Sequence, residues 1–367
     1  MDKPTRNLIQ SATQRARRLL EDEFSQQLEG IYDILPDGTV LEQPGAHLDA
    51  RARLVRDKIV AAIRYHEVGG MTAKDARDAT LREAAFTTLN RFVALKMLEA
   101  RGVVQECISK GEQSSGFREF GGLAEGLIAL PDKGFRLYLE SLFDEIGREV
   151  RVLFDRRDVA GLLWPRRQAL NDLLATLNDP TLAEVWGEDE TIGWIYQYFN
   201  GDDERKTMRE ASQAPRNSRE LAVRNQFFTP RYVVAFLSDN TLGRTWYEMR
   251  KGNTRLVDQC HYLVCRPNEI FLAEGRQAPA ASEDAEASEK TQEELLREPV
   301  YIPHRSLKDP REIQVLDPAS GSGHFLLYCF DLLLTIYEEA WDDCPDLLRD
   351  IRTSTPAKAD FMKQVPA

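Results

Sequence analysis

The sequence has few of the features that mark membrane, secreted or strongly basic proteins. Its run of three leucines, Leu332–Leu334, follows Asp331, and no stretch is long and apolar enough for an ordinary transmembrane helix. The first residues lack the apolar segment of a secretory signal. Lysine and arginine number 48 against 60 aspartate and glutamate, a net charge of −12. That balance excludes a globally basic nucleic-acid-binding protein but not a local basic patch.

Cysteine is also scarce, with five residues at positions 107, 260, 265, 329 and 344. An odd and scattered set favours reduced thiols in a cytoplasmic protein over a disulfide framework. Cys260, His261 and Cys265 could be half of a zinc site, and His304 lies downstream. No matched second pair is present, so buried thiols on a strand are the favoured interpretation.

The 367 residues suffice for two or three domains, and the first half has the pattern of helices. Thr80 and Glu83 have capping-box spacing, which predicts a helix that begins at Thr80. Gly102 stands where a left-handed C-terminal cap belongs. Further helices are predicted over residues 8–28, 48–66, 133–154, 165–177 and 191–200.

Strand signals appear only in the second half. Short strands are predicted over residues 257–264, 300–302 and, most clearly, 313–316, an apolar run followed by Asp317-Pro318. Residues 275–299 are rich in alanine, glutamate and serine, and we expect an acidic, flexible insertion there.

A glycine-rich turn follows the third predicted strand and precedes an apolar helix. Gly321 and Gly323 allow a sharp backbone turn and leave no side chain between the main chain and a ligand. The helix beyond them offers free amides at its positive end. Asp317, at the carboxyl end of the strand, can accept hydrogen bonds from a cationic or hydroxyl group, in the crevice where open α/β sheets bind ligands.

The residues around the turn exclude two common ligands. A phosphate loop needs a Lys-Ser/Thr pair after the last glycine, but His324-Phe325 stand there. A dinucleotide fingerprint needs a third small residue three places after Gly323, and Leu326 occupies that position. S-adenosylmethionine remains as a common occupant, and an ordinary strand-to-helix turn remains the alternative.

A second segment, Phe227-Phe228-Thr229-Pro230, predicts a helix start with the proline in its first turn. Two aromatic rings there can flank an adenine, and the threonine hydroxyl can bind a carboxylate. A hydrophobic staple that fixes the entry of the chain into the helix is the alternative, and it is favoured when the segment is considered alone.

Together the two segments resemble the cofactor motifs of adenine-N6 DNA methyltransferases from bacterial phage-defence and restriction-modification systems, above all the PglX-like enzymes of BREX or DISARM type. Asn225–Pro230 is similar to the Gln-Phe-Phe/Tyr-Thr-Pro motif, and Asp317–Phe325 to the Asp-Pro-x-x-Gly-x-Gly-x-Phe motif. Asp189–Phe199 and Leu89–Gly102 resemble helices of the N-terminal domains of such enzymes.

The resemblance implies a fold and a cofactor. The fold is a mainly α N-terminal domain followed by an incomplete α/β Rossmann-like methyltransferase domain, of which only the first strand, loop and helix are present. The implied domains are residues 1–205, 206–274, 275–299 (the acidic insertion) and 300–367. The cofactor is S-adenosylmethionine. The implied cofactor-binding residues are Phe227, Phe228, Thr229, Pro230, Asp317, Ala319, Ser320, Gly321, Ser322, Gly323 and Phe325.

Individual roles follow from the same resemblance. Thr229 is expected to contact the carboxylate end of the cofactor. Asp317 and the backbone of Gly321–Gly323 are expected to hold its methionine portion, with Phe325 supporting the turn. The implied partners are double-stranded DNA, in the complete protein, and other subunits of the defence system, with no membrane.

The sequence departs from the family at the catalytic motif. The family's Asn/Asp-Pro-Pro-Tyr/Phe segment holds the flipped adenine, and this sequence contains no Pro-Pro pair. We therefore expect an N-terminal portion that is inactive by itself, with no catalytic residue to assign. The alternative function is a non-catalytic helical scaffold that docks other defence subunits or DNA.

Other candidates carry less weight. An RNA or protein substrate is opposed only by the family likeness, and a fused nuclease lacks a recognisable pair of strands with acidic residues. The arginines at positions 15, 17, 18, 166 and 167 could contact phosphates, but a solvated helix face is the favoured interpretation.

Overall fold

The computed structural model describes residues 1–42, 45–123, 126, 130, 134–216, 218–225, 227–279, 291, 297–355 and 357–363. The chain divides into two compact units, Met1–Phe228 and Thr229–Ala367, called here the helical unit and the second unit. Most of the predicted acidic insertion and Gln226 of the second motif lie outside the described residues. The domain bounds implied by the resemblance stay a prediction.

The helical unit consists of helices joined by connections of varied length. Its α-helices are α1 (Lys3–Gly30), α2 (Ala50–Val68), α3 (Ala73–Ala100), α4 (Ser115–Leu123), α5 (Phe135–Ile146), α6 (Arg151–Phe154), α7 (Arg167–Leu177), α8 (Glu190–Phe199), α9 (Asp202–Ala211) and α10 (Ser218–Asn225). The predicted helix over 133–154 is interrupted, because α5 ends against Gly147 and a new turn begins at Arg151.

Side-chain caps define where the long helices begin. Asp2 accepts a hydrogen bond from the Thr5 amide at the start of α1, at 2.9 Å. Thr72 accepts one from the Asp75 amide at the start of α3, at 3.1 Å. The prediction that α3 begins at Thr80 is wrong: the Thr80 hydroxyl donates to the Ala76 carbonyl inside the helix. Thr72 lies two turns earlier and satisfies the orphan amides first.

The core of the helical unit lies between α1, α3, α7 and α8. Leu20 and Phe24 of α1, Leu89 and Phe92 of α3 and Leu173 of α7 are at most 1% exposed. These positions recur at helical spacing on each element, so each helix buries one face. Gly102 ends α3 with φ of +69°, which confirms the predicted left-handed cap.

The second unit is also mainly helical. Its α-helices are α11 (Arg231–Ser238), α12 (Arg244–Met249), α13 (Leu256–Gln259), α14 (His324–Asp343), α15 (Arg349–Ser354) and α16 (Lys358–Met362), with a π-helical turn at Asp239–Gly243. Two short strands, β1 (Glu269–Phe271) and β2 (Val300–Ile302), pair in parallel. Its core gathers around Trp246, Leu332 and Ile336, each at most 1% exposed.

The strand predictions are confirmed only in part. β2 matches the predicted strand at 300–302, but residues 257–264 form α13 and an irregular loop. Residues 313–316 join no sheet in the described part of the chain, and Leu316 is 86% exposed. A β-prone run becomes a strand only where a neighbour can satisfy its backbone groups. The structure thus shows the mainly α character and, among the residues it describes, a single two-stranded sheet.

Among the described residues, no helix is both long enough and apolar enough to cross a bilayer.

Candidate functional site

The glycine-rich turn before α14 is an open loop. Gly321 and Gly323 have φ of +54° and +75°, in the left-handed region that favours glycine. The Gly323 amide donates to the Ser320 carbonyl at 2.7 Å, which closes the turn. A β-carbon at Gly323 would meet no atom within 4 Å, so the backbone there faces open space. A ligand can therefore approach the main chain directly.

The two carboxylate oxygens of Asp317 have different environments. Oδ1 accepts a hydrogen bond from the Ala319 amide at 3.0 Å and so stabilises the turn. Oδ2 is buried and has no hydrogen-bond partner among the described residues. A buried carboxylate oxygen without a partner is unfavourable. The site thus holds one strong acceptor that a donor group of a ligand could satisfy.

The Thr229-Pro230 part of the second motif lies beside this turn. The Thr229 carbonyl oxygen is 3.3 Å from Nδ1 of His324, the first residue of α14. Pro230 is the N-cap residue of α11, one position before the first turn predicted for it. No side chain caps α11 in the described part of the chain, so the Thr229 hydroxyl is not used as a cap.

Contacts of α14 with the end of α11 and with the π-helical turn that follows it fix this arrangement. The Tyr328 hydroxyl donates to Oδ1 of the fully buried Asp239 at 2.8 Å. Burial raises the pKa of Tyr328, and the donation to Asp239 raises it further, so the tyrosine stays protonated. One residue along α14, the Cys329 thiol lies 3.6 Å from the Ser238 hydroxyl. Burial raises the pKa of Cys329, as does the negative charge of Asp317.

His324, Tyr328 and Asp239 were not predicted from the sequence to have a role. His324 and Tyr328 are four residues apart on α14 and therefore lie on the same helix face. That spacing could have indicated that both polar side chains contact the same neighbouring segment of the chain. Asp239 carried no such signal, because its partners come from distant parts of the sequence.

Phe227 and Phe228 belong to the helical unit, where α8 holds the second ring. The Phe228 amide donates to Oε1 of Gln197 at 2.6 Å, and its ring meets Trp194 edge-on, with 5.0 Å between centroids. A β-carbon at Gly193 would lie 2.0 Å from the Phe228 ring, so glycine is required there. Phe228 thus anchors the segment to the helix that the resemblance singled out.

Phe227 differs from its neighbour because its side chain is 58% exposed. The guanidinium of Arg205 on α9 lies over its ring, 5.3 Å from the centroid. The same arginine donates to the carbonyls of Val223 and Gln197, at 3.0 and 2.9 Å, and is 5% exposed. The exposed ring of Phe227 is therefore kept in position by the buried guanidinium of Arg205.

The remaining candidates form no site of their own. Cys260 is buried and Cys265 exposed, and neither lies on a strand, contrary to prediction. Among the described residues no group of three or more His, Cys, Asp or Glu could hold a metal ion. Arg17 pairs with Glu21, and Arg166 with Glu23, both at 2.8 Å. Ion pairing rather than phosphate binding thus accounts for these two arginines.

Taken by itself, the turn of the second unit can bind a small zwitterionic or hydroxylated ligand. Asp317 offers an acceptor oxygen, and the first turn of α14 offers donor amides at the positive end of a 20-residue helix. The Asp317 oxygen suits an ammonium or hydroxyl group of a ligand, and the amides of α14 suit a carboxylate.

Comparison with known proteins shows two relatives, while no family model matches the chain. One relative is the adenine-specific methyltransferase BrxX of Escherichia coli O9:H4 (strain HS), 26% identical over 284 residues, which are 71% of this chain and 21% of the relative. The other is the adenine-specific methyltransferase PglX of Lacticaseibacillus casei (strain Zhang), 28% identical over 204 residues, 55% of this chain and 14% of the relative.

The aligned regions therefore span only about a fifth or less of each relative's length. They nevertheless cover more than half of this chain. Both relatives are named adenine-specific methyltransferases, as the two motifs predicted. The resemblance inferred from the sequence is confirmed, and the chain is a relative of the BrxX and PglX adenine-specific methyltransferases.

Proposed function

We propose that this chain contributes to S-adenosylmethionine-dependent methylation of adenine N6 in DNA, as part of a bacterial defence system. The proposal rests on the names of the two relatives and on the glycine turn. The observation that carries it is the buried Oδ2 of Asp317, which has no hydrogen-bond partner among the described residues. It lies beside an open glycine backbone, with Thr229 next to the same helix start. The second unit then belongs to a Rossmann-like methyltransferase domain.

In this proposal the second unit holds the cofactor with Thr229, Pro230, Asp317, Ala319–Gly323 and Phe325. Asp317 Oδ2 accepts from a donor group of the ligand, and this removes the unfavourable burial of an unpaired oxygen. The amides at the start of α14 and the Thr229 hydroxyl receive the carboxylate end. The roles of Phe227 and Phe228 toward the cofactor stay predictions from the resemblance.

When bound, S-adenosylmethionine supplies an electrophilic methyl group on a sulfonium centre. The residues of this chain contribute by binding and orientation, because a fixed ligand reacts with less entropic cost than a free one. No residue of this sequence supplies the Asn/Asp-Pro-Pro-Tyr/Phe segment that would hold the target adenine. We therefore expect this chain to bind the cofactor without transferring its methyl group.

The binding test is a calorimetric titration of the 367-residue chain with S-adenosylmethionine. We expect one site per chain and at least a tenfold weaker affinity in Gly323→Val, since the side chain occupies the open cradle. Gly275→Val is a matched control: Gly275 has φ of +72° and no atom within 4 Å of a β-carbon, so the backbone strain is comparable. No binding by the wild type, or equal loss in both variants, would overturn the proposal.

The transfer test is a filter assay with tritiated S-adenosylmethionine and mixed-sequence DNA. We expect no incorporation above background by the purified chain. Robust adenine methylation by this chain would refute the expectation that binding and transfer separate.

A further inference from the structure

The helical unit contains a cavity of about 370 Å³ that the cofactor proposal does not use. Its lining consists of Arg205, Lys206, Arg209 and Glu210 on α9, together with Phe227. The volume is within the range of small-molecule sites, roughly 300–1,000 Å³. An aromatic ring and three cationic side chains make a lining that few ligands suit.

The floor of the cavity is rigid. Arg205 is 95% buried, donates to the Val223 and Gln197 carbonyls and lies against the Phe227 ring. A cation placed over an aromatic ring is attracted by the ring's electrons, so the pair holds its geometry. Phe227 can therefore offer a flat surface without the entropic cost of ordering a mobile side chain.

The rim of the cavity is exposed and cationic. Lys206 and Arg209 are exposed and lie three residues apart, on the same face of α9. Lys206 meets Glu210 at 3.9 Å, and both side chains are more than 65% exposed, so this pair is weak. Arg209 donates one bond to the Arg224 carbonyl, at 3.2 Å, which leaves further donors on its guanidinium.

The local charge opposes that of the whole chain. Three cations and one anion line the cavity, whereas the chain carries a net charge of −12. A patch of inverted charge on an acidic protein concentrates anions at that place. The ligand should therefore combine a negative charge, for the rim, with a planar ring, for the floor.

We propose that this cavity binds a nucleoside phosphate unit, with the base stacked on Phe227 and the phosphate held by Lys206 and Arg209. The stacking surface of a base is accessible in a free nucleotide or in a single strand, but it is covered inside a duplex. Single-stranded DNA should thus bind more tightly than a duplex of the same sequence. The site requires no S-adenosylmethionine, and it shares only Phe227 with the cofactor-binding residues that the resemblance implies.

The test is fluorescence anisotropy of a labelled 12-nucleotide single strand with the 367-residue chain, without S-adenosylmethionine. We expect Lys206→Ala/Arg209→Ala to weaken binding tenfold or more and to reduce the dependence on salt. Phe227→Ala should weaken it at least fivefold, and Phe227→Tyr, which keeps the ring, should not. Glu210→Gln should tighten it, because the only anion of the lining is removed.

The matched control is Lys58→Ala/Arg64→Ala on α2, which removes the same two charges from exposed positions elsewhere in the helical unit. Equal weakening by this control would contradict the proposal, since it would reduce the effect to overall charge. Inorganic phosphate that competes as well as AMP would also contradict it, because the base would then contribute nothing.

Two further arms identify the source of the ligand and separate the two proposals. Competition by AMP as strong as that of the strand identifies a free nucleotide, and tighter binding of the strand identifies nucleic acid; both support the proposal. Gly323→Val should leave this binding unchanged. A loss of strand binding in that variant would contradict the separate location assigned to the site.

Discussion

Asp317 shows at the scale of one residue how a side chain can serve structure and binding at once. Oδ1 supports the turn through the Ala319 amide, while Oδ2 is buried without a partner in the described part of the chain. A residue placed only for stability would not leave a charged oxygen in this state, because the desolvation of that oxygen is uncompensated. Sites that bind ligands often carry such a cost in stability.

The substitution Asp317→Asn separates these two roles. The amide keeps an oxygen for the Ala319 bond and removes the buried negative charge, so we expect a melting temperature equal to or above that of the wild type. Binding of S-adenosylmethionine should weaken about tenfold or more, as for a lost hydrogen bond to a charged group.

Thermal unfolding and titration of the same preparation give both quantities. Asp317→Ala is the companion variant, because it also loses the turn bond and should unfold at a lower temperature. A drop in the melting temperature of Asp317→Asn with unchanged ligand affinity would contradict the account and make Asp317 a purely structural residue.

At the scale of elements, packing against helix α8 fixes the position of Phe228 in the second motif. Gly193, Trp194 and Gln197 all contact Phe228, by close approach, ring packing and a hydrogen bond. These three residues span slightly more than one turn of α8 and share a face. The sequence placed α8 and the motif separately, but nothing in it showed that one packs against the other.

The variant Gly193→Ala tests this packing. The new β-carbon would lie 2.0 Å from the Phe228 ring, so the ring must move and the unit should lose about 1–3 kcal/mol of stability. The loss should appear even though alanine favours a helix by about 1 kcal/mol over glycine. Urea unfolding measures it.

Gly121→Ala is the control, since Gly121 lies in α4 with no atom within 4 Å of a β-carbon. It should be neutral or slightly stabilising. If both variants gain stability alike, Phe228 is not packed on α8 as described.

A second element-scale prediction concerns the contact between α1 and the start of α7. Glu23 accepts bonds from Nε and Nη2 of Arg166 at 2.8 Å and from Gln27 at 2.6 Å. Burial raises the pKa of Glu23, but these hydrogen bonds outweigh it and hold the pKa below the usual value. The folded state therefore binds the proton less readily than the unfolded chain.

The stability that Glu23 contributes to the fold therefore depends on pH. A depressed pKa contributes stability that is present above the unfolded value near 4.5 and is lost as the pH falls through the folded value. Glu23→Gln should cost about 1–3 kcal/mol at pH 7, and the difference from wild type should shrink below about pH 4.5. Glu29→Gln, at an exposed position of α1, should show no such change; a difference that persists at low pH would contradict the assignment.

Across the whole molecule, the sequence predicted local structure better than long-range pairing. Helices α1, α2 and α8 follow from spacing within the segment, and so does the turn at Gly321–Gly323. The strand at 313–316 failed because its formation depends on a neighbour far along the chain. The prediction that α3 begins at Thr80 was wrong for a related reason. Its capping pattern is local, but Thr72 already caps the helix eight residues earlier.

The candidate site follows the same division. Asp317 and the glycines were found from their residue types and spacing, and Thr229 from its motif. The links through His324 and between Tyr328 and Asp239 were not found, because each joins residues about 90 positions apart. The cavity at Phe227 was missed for the same reason, since α9 reaches it through space rather than along the motif.

The central claim is that the segment after Phe228 and the glycine turn form one binding place in the second unit. Hydrogen–deuterium exchange with and without S-adenosylmethionine tests it most directly. The account predicts that the ligand slows exchange in peptides covering both 229–238 and 317–327, and that Gly323→Val abolishes both effects. Protection of only one of these segments, or protection that persists in Gly323→Val, would contradict it.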